Sequence, residues 1–189
     1  PFTGSRLRQL VRQVLHLPDQ ENDHWRAGRL VWAVLELLPE LLEQPVAQPL
    51  QVWLAQREGS ASGLTRDRWQ LARSIADAMD DYALYRPDQL DQWRRPRPED
   101  DWQALLWRML AQRLPRAPFG LQVREAVACL RRGDVDPALL PERLRLFCIS
   151  ALAPVQVDLI QALSGLLDVE VYLLTPCPDL WQRCGSRRE

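Results

Sequence analysis

The chain holds 189 residues, 47% of them hydrophobic, which is enough to enclose a sizeable core as one large domain or two small ones. Its 24 basic and 25 acidic residues leave a formal net charge of −1, so bulk electrostatics advertise no affinity for nucleic acid, membrane or an acidic substrate, and any such site must be local. All 24 basic residues are arginine, and without lysine the segment holds no Walker A phosphate loop, no Schiff-base amine and no lysine-dependent nuclease centre.

In chain order, Ser5 to Leu15 predicts a helix, with Ser5 as N-cap and Leu7, Leu10, Val11, Val14 and Leu15 recurring at three- and four-residue steps. Its opposite face carries Arg6, Arg8 and Arg12. A loop from Pro18 to Asp23 leads to a second helix, about Trp25 to Glu43, whose wide apolar stripe runs from Leu30 to Leu42. Pro39 is expected to kink or divide it. A shorter helix at Val46 to Gln56 and a loop at Gly59 to Gly63 follow. Thr65 then caps a helix reaching Tyr85, stopped by Pro87, with Trp69, Ala72, Ile75, Ala76, Met79 and Tyr82 inward. Asp88 to Trp93 adds a helical turn, and Arg94 to Pro98 reads as a linker. Further helices are expected at Trp102 to Leu114 and Leu121 to Arg132.

From Leu144 the texture changes. Leu144 to Ile149 reads as a buried strand, Val155 to Leu167 as a helix and Val169 to Leu174 as a second strand, a spacing that suggests a right-handed parallel crossover. Two parallel strands cannot cover both their faces, so the rest of the sheet is expected outside this chain. The fold class is therefore mainly α, a helical subdomain over residues 1–140 followed by a strand-helix-strand piece of a parallel α/β core over 141–189. The sequence starts at Pro1 rather than Met, from which a longer polypeptide is expected.

No catalytic constellation is complete. Cys129, Cys148, Cys177 and Cys184 form neither a C-x-x-C pair nor a disulfide framework, which suits a reducing, cytoplasmic compartment. His16 and His24 have no nucleophile motif beside them. No apolar run approaches the length of a membrane span. Asp77, Asp80 and Asp81 fall on one side of a helix, as Mg²⁺-binding helices require, but a second acidic helix is missing; Glu99-Asp100-Asp101 is better placed to compensate the dipole of the helix it precedes. A solvated face and a base-contacting or arginine-pairing face both remain open for the acidic row, and no metal site is assigned. Arg86, with Tyr82 and Tyr85, makes a polar and aromatic strip suited to unstacked bases, since arginine and tyrosine stack and carboxylates accept from base amino groups. Arg6, Arg8 and Arg12, like Arg94, Arg95 and Arg97, read first as solvated or linker residues and second as phosphate contacts. Most of the eight tryptophans fall on apolar stripes and are expected in the core.

The run Ala76-Asp77-Ala78-Met79-Asp80-Asp81-Tyr82-Ala83-Leu84-Tyr85-Arg86-Pro87-Asp88, with Leu90 and Gln92-Trp93 after it, resembles the gamma subunit of exodeoxyribonuclease V, the RecC family. Trp102-Gln103-Ala104, Leu106-Trp107, Ile149-Ser150-Ala151-Leu152, Pro154, Thr175-Pro176-Cys177 and Trp181 match in order, and the stretch from Pro1-Phe2 more loosely. The resemblance implies a helicase-like fold that has lost its ATPase motifs, acting in double-strand break repair and recombination. It implies beta and alpha partner subunits that use ATP and Mg²⁺, no cofactor in this segment, and contact with duplex ends and single-stranded DNA in a channel where a hotspot sequence is sensed. It carries the channel-facing, DNA-binding positions onto Asp77, Asp80, Arg86 and Phe2, and no catalytic residue. Ala78 and Arg8 depart from the family, where a larger aliphatic and an aromatic residue are familiar. The alternative is a helical protein-protein interaction module without DNA contact.

Overall fold

The computed structural model describes residues 2–18, 23–58, 63–147, 149 and 151–174, with backbone alone for 2–4 and 58. Among these described residues eight α-helices and two strands follow in order: α1 Phe2–Val14, α2 Ala27–Leu42, α3 Gln48–Glu58, α4 Arg66–Tyr85, α5 Pro87–Gln92, α6 Trp102–Arg113, α7 Phe119–Arg132, β1 Arg143–Phe147, α8 Pro154–Ser164 and β2 Asp168–Tyr172. Single 3₁₀ turns at Pro45–Ala47 and Pro137–Leu139 precede α3 and β1. The architecture is mainly helical with one two-stranded parallel sheet.

Local chemistry explains most boundaries. Thr65 accepts the Arg68 N–H at 3.1 Å and starts α4, and Asp101 accepts the N–H groups of Gln103 and Ala104 at 2.9 and 3.1 Å and starts α6. Pro87 opens α5, where its missing N–H costs nothing. Gly133, at φ 75°, closes α7 in the left-handed conformation that glycine adopts without strain. The expected division at Pro39 does not occur: α2 runs through it as one helix. Pro39 is exposed and falls in the last turn of the helix, so one i→i−4 bond near its end is lost without breaking it.

Burial divides the molecule into two apolar clusters. One joins Trp25 and the inner faces of α2, α3, α4, α5 and α6 around Leu30, Leu41, Leu106, Trp107 and Leu110, all nearly inaccessible. The other packs α1 and α7 against β1 and α8 through Leu7, Leu10, Val123, Leu159 and Leu163. The first helix of the chain thus packs with the last third of it. Each such leucine contributes on the order of 1.5–3 kcal/mol by leaving water.

Between the clusters, α4 and α7 cross so closely that a Cβ on Gly120 would lie 1.6 Å from the carbonyl oxygen of Ala83. Only glycine fits there.

In the sheet, Leu144 pairs with Val169 and Leu146 with Val171, and both leucines point into the second cluster. The outer face sets Arg145 Nε 2.8 Å from Glu170 Oε2 and stacks the Phe147 and Tyr172 rings 4.4 Å apart at 8°. Phe147 and Tyr172 are exposed, so this face of the described sheet stands open to solvent.

Candidate nucleic-acid interface

Helix α4 carries the acidic row and Arg86, and its neighbours draw those residues to different places. Asp77 is exposed and forms an i,i+4 pair with Arg73, Nε to Oδ2 3.3 Å. Asp80 is half-buried, and its Oδ2 accepts the Ala27 N–H at 3.1 Å. Arg26, the residue that precedes α2, offers no side-chain cap, so Asp80 caps α2 from another helix and meets its positive dipole end. Burial pushes the Asp80 carboxyl above the ordinary range, opposed by the Ala27 N–H and by the charges of Arg26 and Arg8. Arg86, between α4 and α5, is exposed and holds its guanidinium 5.6 Å from the Tyr82 ring centroid. Asp77 and Arg86 are nine residues apart, about half a turn round the helix, so they do not share a face. The α1 backbone begins at Phe2, whose side chain lies outside the described residues.

Two clefts lie near these residues. Arg86 lines the first, of about 450 Å³, with Tyr82, Trp93, Gln89 and Gln103. There the Tyr82 and Trp93 rings meet edge to face at 5.8 Å, and the Tyr82 hydroxyl donates to Gln103 Oε1 at 2.9 Å. Arg108 braces two of the lining residues, donating from one nitrogen to Asp100 Oδ2 at 2.7 Å and to the Trp93 carbonyl at 3.1 Å. The Arg97 N–H, followed by Arg108, holds the Asp100 carboxyl below the ordinary range. Aromatic side chains, amides and the exposed Arg86 are groups that can hold an unstacked base, and Glu99, Asp100 and Asp101 line the same cleft, where they would repel phosphate.

The second cleft, of about 330 Å³, lies close enough to Asp80 for that carboxylate to act on Arg26 and Arg8, and among the described residues it is lined by Arg8, Arg12, Arg26, Arg29 and Arg116 with one carboxylate, Asp23. Phe119 forms part of it, and the Arg8 guanidinium lies 4.3 Å from that ring's centroid. Burial pulls Arg8 below its usual basicity, Asp23 opposes this and Arg26 adds to it. Asp23 Oδ2 accepts from Arg8, while Asp23 Oδ1 accepts the Trp25 N–H at 3.1 Å. The Trp25 indole N–H donates to the Arg116 carbonyl at 2.6 Å, which ties the entrance of α2 to the loop before α7. Among the described residues that line it, five guanidinium groups gather around one carboxylate, in a chain that is nearly neutral as a whole.

The sequence reading did not find this cleft. Arg8 and Arg12 were expected mainly as a solvated face, and both are half-buried instead. Arg26, Arg29 and Arg116 carried no signal, because their meeting depends on the long-range Trp25 to Arg116 bond. Among the tryptophans, Trp25 and Trp107 are buried and 4.9 Å apart, but Trp32 is exposed on the molecule's surface. Cys129 is a free, half-buried thiol; Cys148, Cys177 and Cys184, with Trp181, lie outside the described residues. Among the described residues no three His, Cys, Asp or Glu side chains are grouped to hold a metal, and no helix is long and apolar enough to cross a membrane.

The family model described as RecC, N-terminal domain, matches residues 1–189. The RecBCD enzyme subunit RecC of Mycolicibacterium smegmatis is 28% identical over 183 residues, covering 96% of this chain and 16% of that protein. That of Escherichia coli K12 is 30% identical over 161 residues, 79% of this chain and 14% of the relative, and that of Mycobacterium tuberculosis H37Rv is 31% identical over 170 residues, 86% and 15%. The chain spans less than a fifth of the length of each of these relatives. With the match running over residues 1–189, and the run from Asp77 to Pro87 folded as the end of α4 and its passage into α5, the chain belongs to the RecC N-terminal domain family.

Proposed function

We propose that this chain is a non-catalytic segment of the RecC-type subunit of a RecBCD-type exodeoxyribonuclease and helicase, a cytoplasmic enzyme of double-strand break repair and recombination. In this reading it scaffolds the complex as part of a degenerate helicase-like core, and it contacts single-stranded DNA for hotspot recognition. ATP hydrolysis and Mg²⁺-dependent cleavage belong to beta and alpha partner subunits, and duplex-end DNA is the substrate of the whole. Family membership supports the subunit identity. The observation that carries the DNA contact is the five-arginine cleft beside Asp80, since guanidinium groups converging on one hollow are how proteins hold phosphodiesters. Asp77, Asp80, Arg86 and Phe2 are the residues proposed to face the strand, with the Tyr82 and Trp93 cleft taking a base and the arginine cleft the backbone.

The experiment is the salt dependence of single-strand binding by the full-length protein and its Arg26→Gln/Arg29→Gln variant. Each lost phosphate contact lowers the slope of log K against log salt by about 0.7 for a single strand, so the double variant should lose about 1.4. An unchanged slope and affinity refutes the cleft as a DNA contact. The second reading, a helical interaction module, is favoured by one feature: a groove of about 380 Å³ in which Trp32 and Leu64 are 59% and 68% exposed. Under that reading Trp32→Ala weakens assembly with a partner subunit and leaves DNA binding intact.

A further inference from the structure

The arginine cleft already contains an anion of the protein's own. Asp23 sets one carboxylate oxygen against Arg8 and lies 4.0 Å from Arg26 Nε, while its other oxygen accepts the Trp25 N–H at 3.1 Å. A guanidinium on one oxygen and a backbone N–H on the other is the donor pattern that the two non-bridging oxygens of a phosphodiester also accept. The Asp23 side chain is 31% exposed and that of Arg26 59%, so the carboxylate is reachable by a molecule entering the cleft. Arg8, at 20%, is the more enclosed partner, and Phe119 stacked on it limits where its charge can turn. Arg29 and Arg116 line the same hollow, and among the described residues of its walls Asp23 supplies the carboxylate.

We propose that Asp23 is an intramolecular stand-in for a backbone phosphate, competing with a phosphodiester group of single-stranded DNA for the Arg8 guanidinium. The proposal rests on the DNA-binding reading of the cleft and adds a regulation to it. An isolated anion must displace Asp23 at one point and gains little. A strand brings several phosphates to the remaining arginines at once, and that multivalent gain carries the exchange. The carboxylate therefore sets a threshold that favours polyanions over single phosphates.

Asp23→Asn tests this, because the amide oxygen can still accept the Trp25 N–H while the competing charge is gone; Asp23→Ser is the second variant, in case the first disturbs folding. The readout is residue-resolved phenylglyoxal labelling of Arg8, Arg26 and Arg29 in the full-length protein, followed by mass spectrometry. The probes are (dT)₂₀ and, separately, decaglutamate. Asp134→Asn, at the far end of α7, controls for overall charge. We expect (dT)₂₀ to protect the three arginines in the wild type, and half-protection to need about three- to tenfold less oligonucleotide in Asp23→Asn, as for a partly exposed charge pair, with Asp134→Asn unchanged. Wild-type protection with no tightening in the Asp23 variants overturns this proposal and leaves the DNA reading standing. Protection by decaglutamate but not by (dT)₂₀ makes the cleft a protein-docking site, and protection by neither removes the DNA reading itself; both results also remove the proposal.

Discussion

Replacing Gly120 by alanine puts a methyl group where α4 and α7 already touch. The added Cβ would lie 1.6 Å from the Ala83 carbonyl oxygen and 2.8 Å from its carbon, both backbone atoms that no rotamer change can move aside. The helices must separate by more than an ångström, opening both apolar clusters at their shared boundary. Overpacking a core commonly costs about 1–3 kcal/mol, and a clash with backbone belongs at or above the top of that range. For a chain of this size about 3 kcal/mol lowers the melting temperature by roughly 6–12 °C. Gly28→Ala supplies the control, since nothing lies within 4 Å of a Cβ at that helical position; it should leave stability equal or raise it by up to about 0.5–1 kcal/mol. Thermal unfolding followed by near-ultraviolet circular dichroism, which reports the packed Trp25 and Trp107 rings, measures both. If Gly120→Ala melts with the wild type, the close crossing of α4 and α7 is wrong.

Asp80→Asn keeps an acceptor for the Ala27 N–H but cannot ionise. Because burial raises the Asp80 carboxyl in the folded state, its protonation favours folding, a contribution present in full below the unfolded value and lost as pH rises through the folded one. Denaturation at several pH values should therefore show the wild type gaining on the Asn variant as pH falls; a constant difference contradicts this. Asp100→Asn should behave oppositely: the Arg97 N–H and Arg108 lower the Asp100 carboxyl, so the wild type's advantage exists above the ordinary carboxylate range and disappears as pH falls through the folded value. Asp101→Ala removes the acceptor for two N–H groups at the start of α6 and should cost about 1 kcal/mol in the same melts, with no loss meaning that the cap is made by water.

What the sequence disclosed was what neighbours in sequence decide. Thr65 announces α4 because it caps an N–H within three residues, and the acidic run ending at Asp101 marked the start of α6, as dipole compensation rather than as the cap that Asp101 forms there. The apolar spacing in α1 and α2 locates their inner faces, since helical period and burial coincide there. The parallel pairing of β1 with β2 followed from the helix between them. The site was legible only in outline. The run from Asp77 to Arg86 drew attention to α4, but spacing along one helix cannot reveal that Asp80 caps a helix begun 53 residues earlier, or that Arg86 turns to another side. The arginine cleft was hidden for the same reason: Arg8, Arg29 and Arg116 come from three separate stretches, and only the fold brings them to one hollow. The exposed outer face of the β1 and β2 sheet matches the expectation that two parallel strands cannot cover themselves.

The proposed DNA contact is tested most directly by photo-cross-linking a 4-thiothymidine-substituted single strand to the full-length protein and mapping the attached peptides by mass spectrometry. The account predicts attachment within the walls of the two clefts, at peptides carrying Arg26, Arg29 or Phe119 and at the peptide carrying Tyr82 and Arg86. Efficient cross-linking of the protein that leaves all of these peptides unmodified would contradict it.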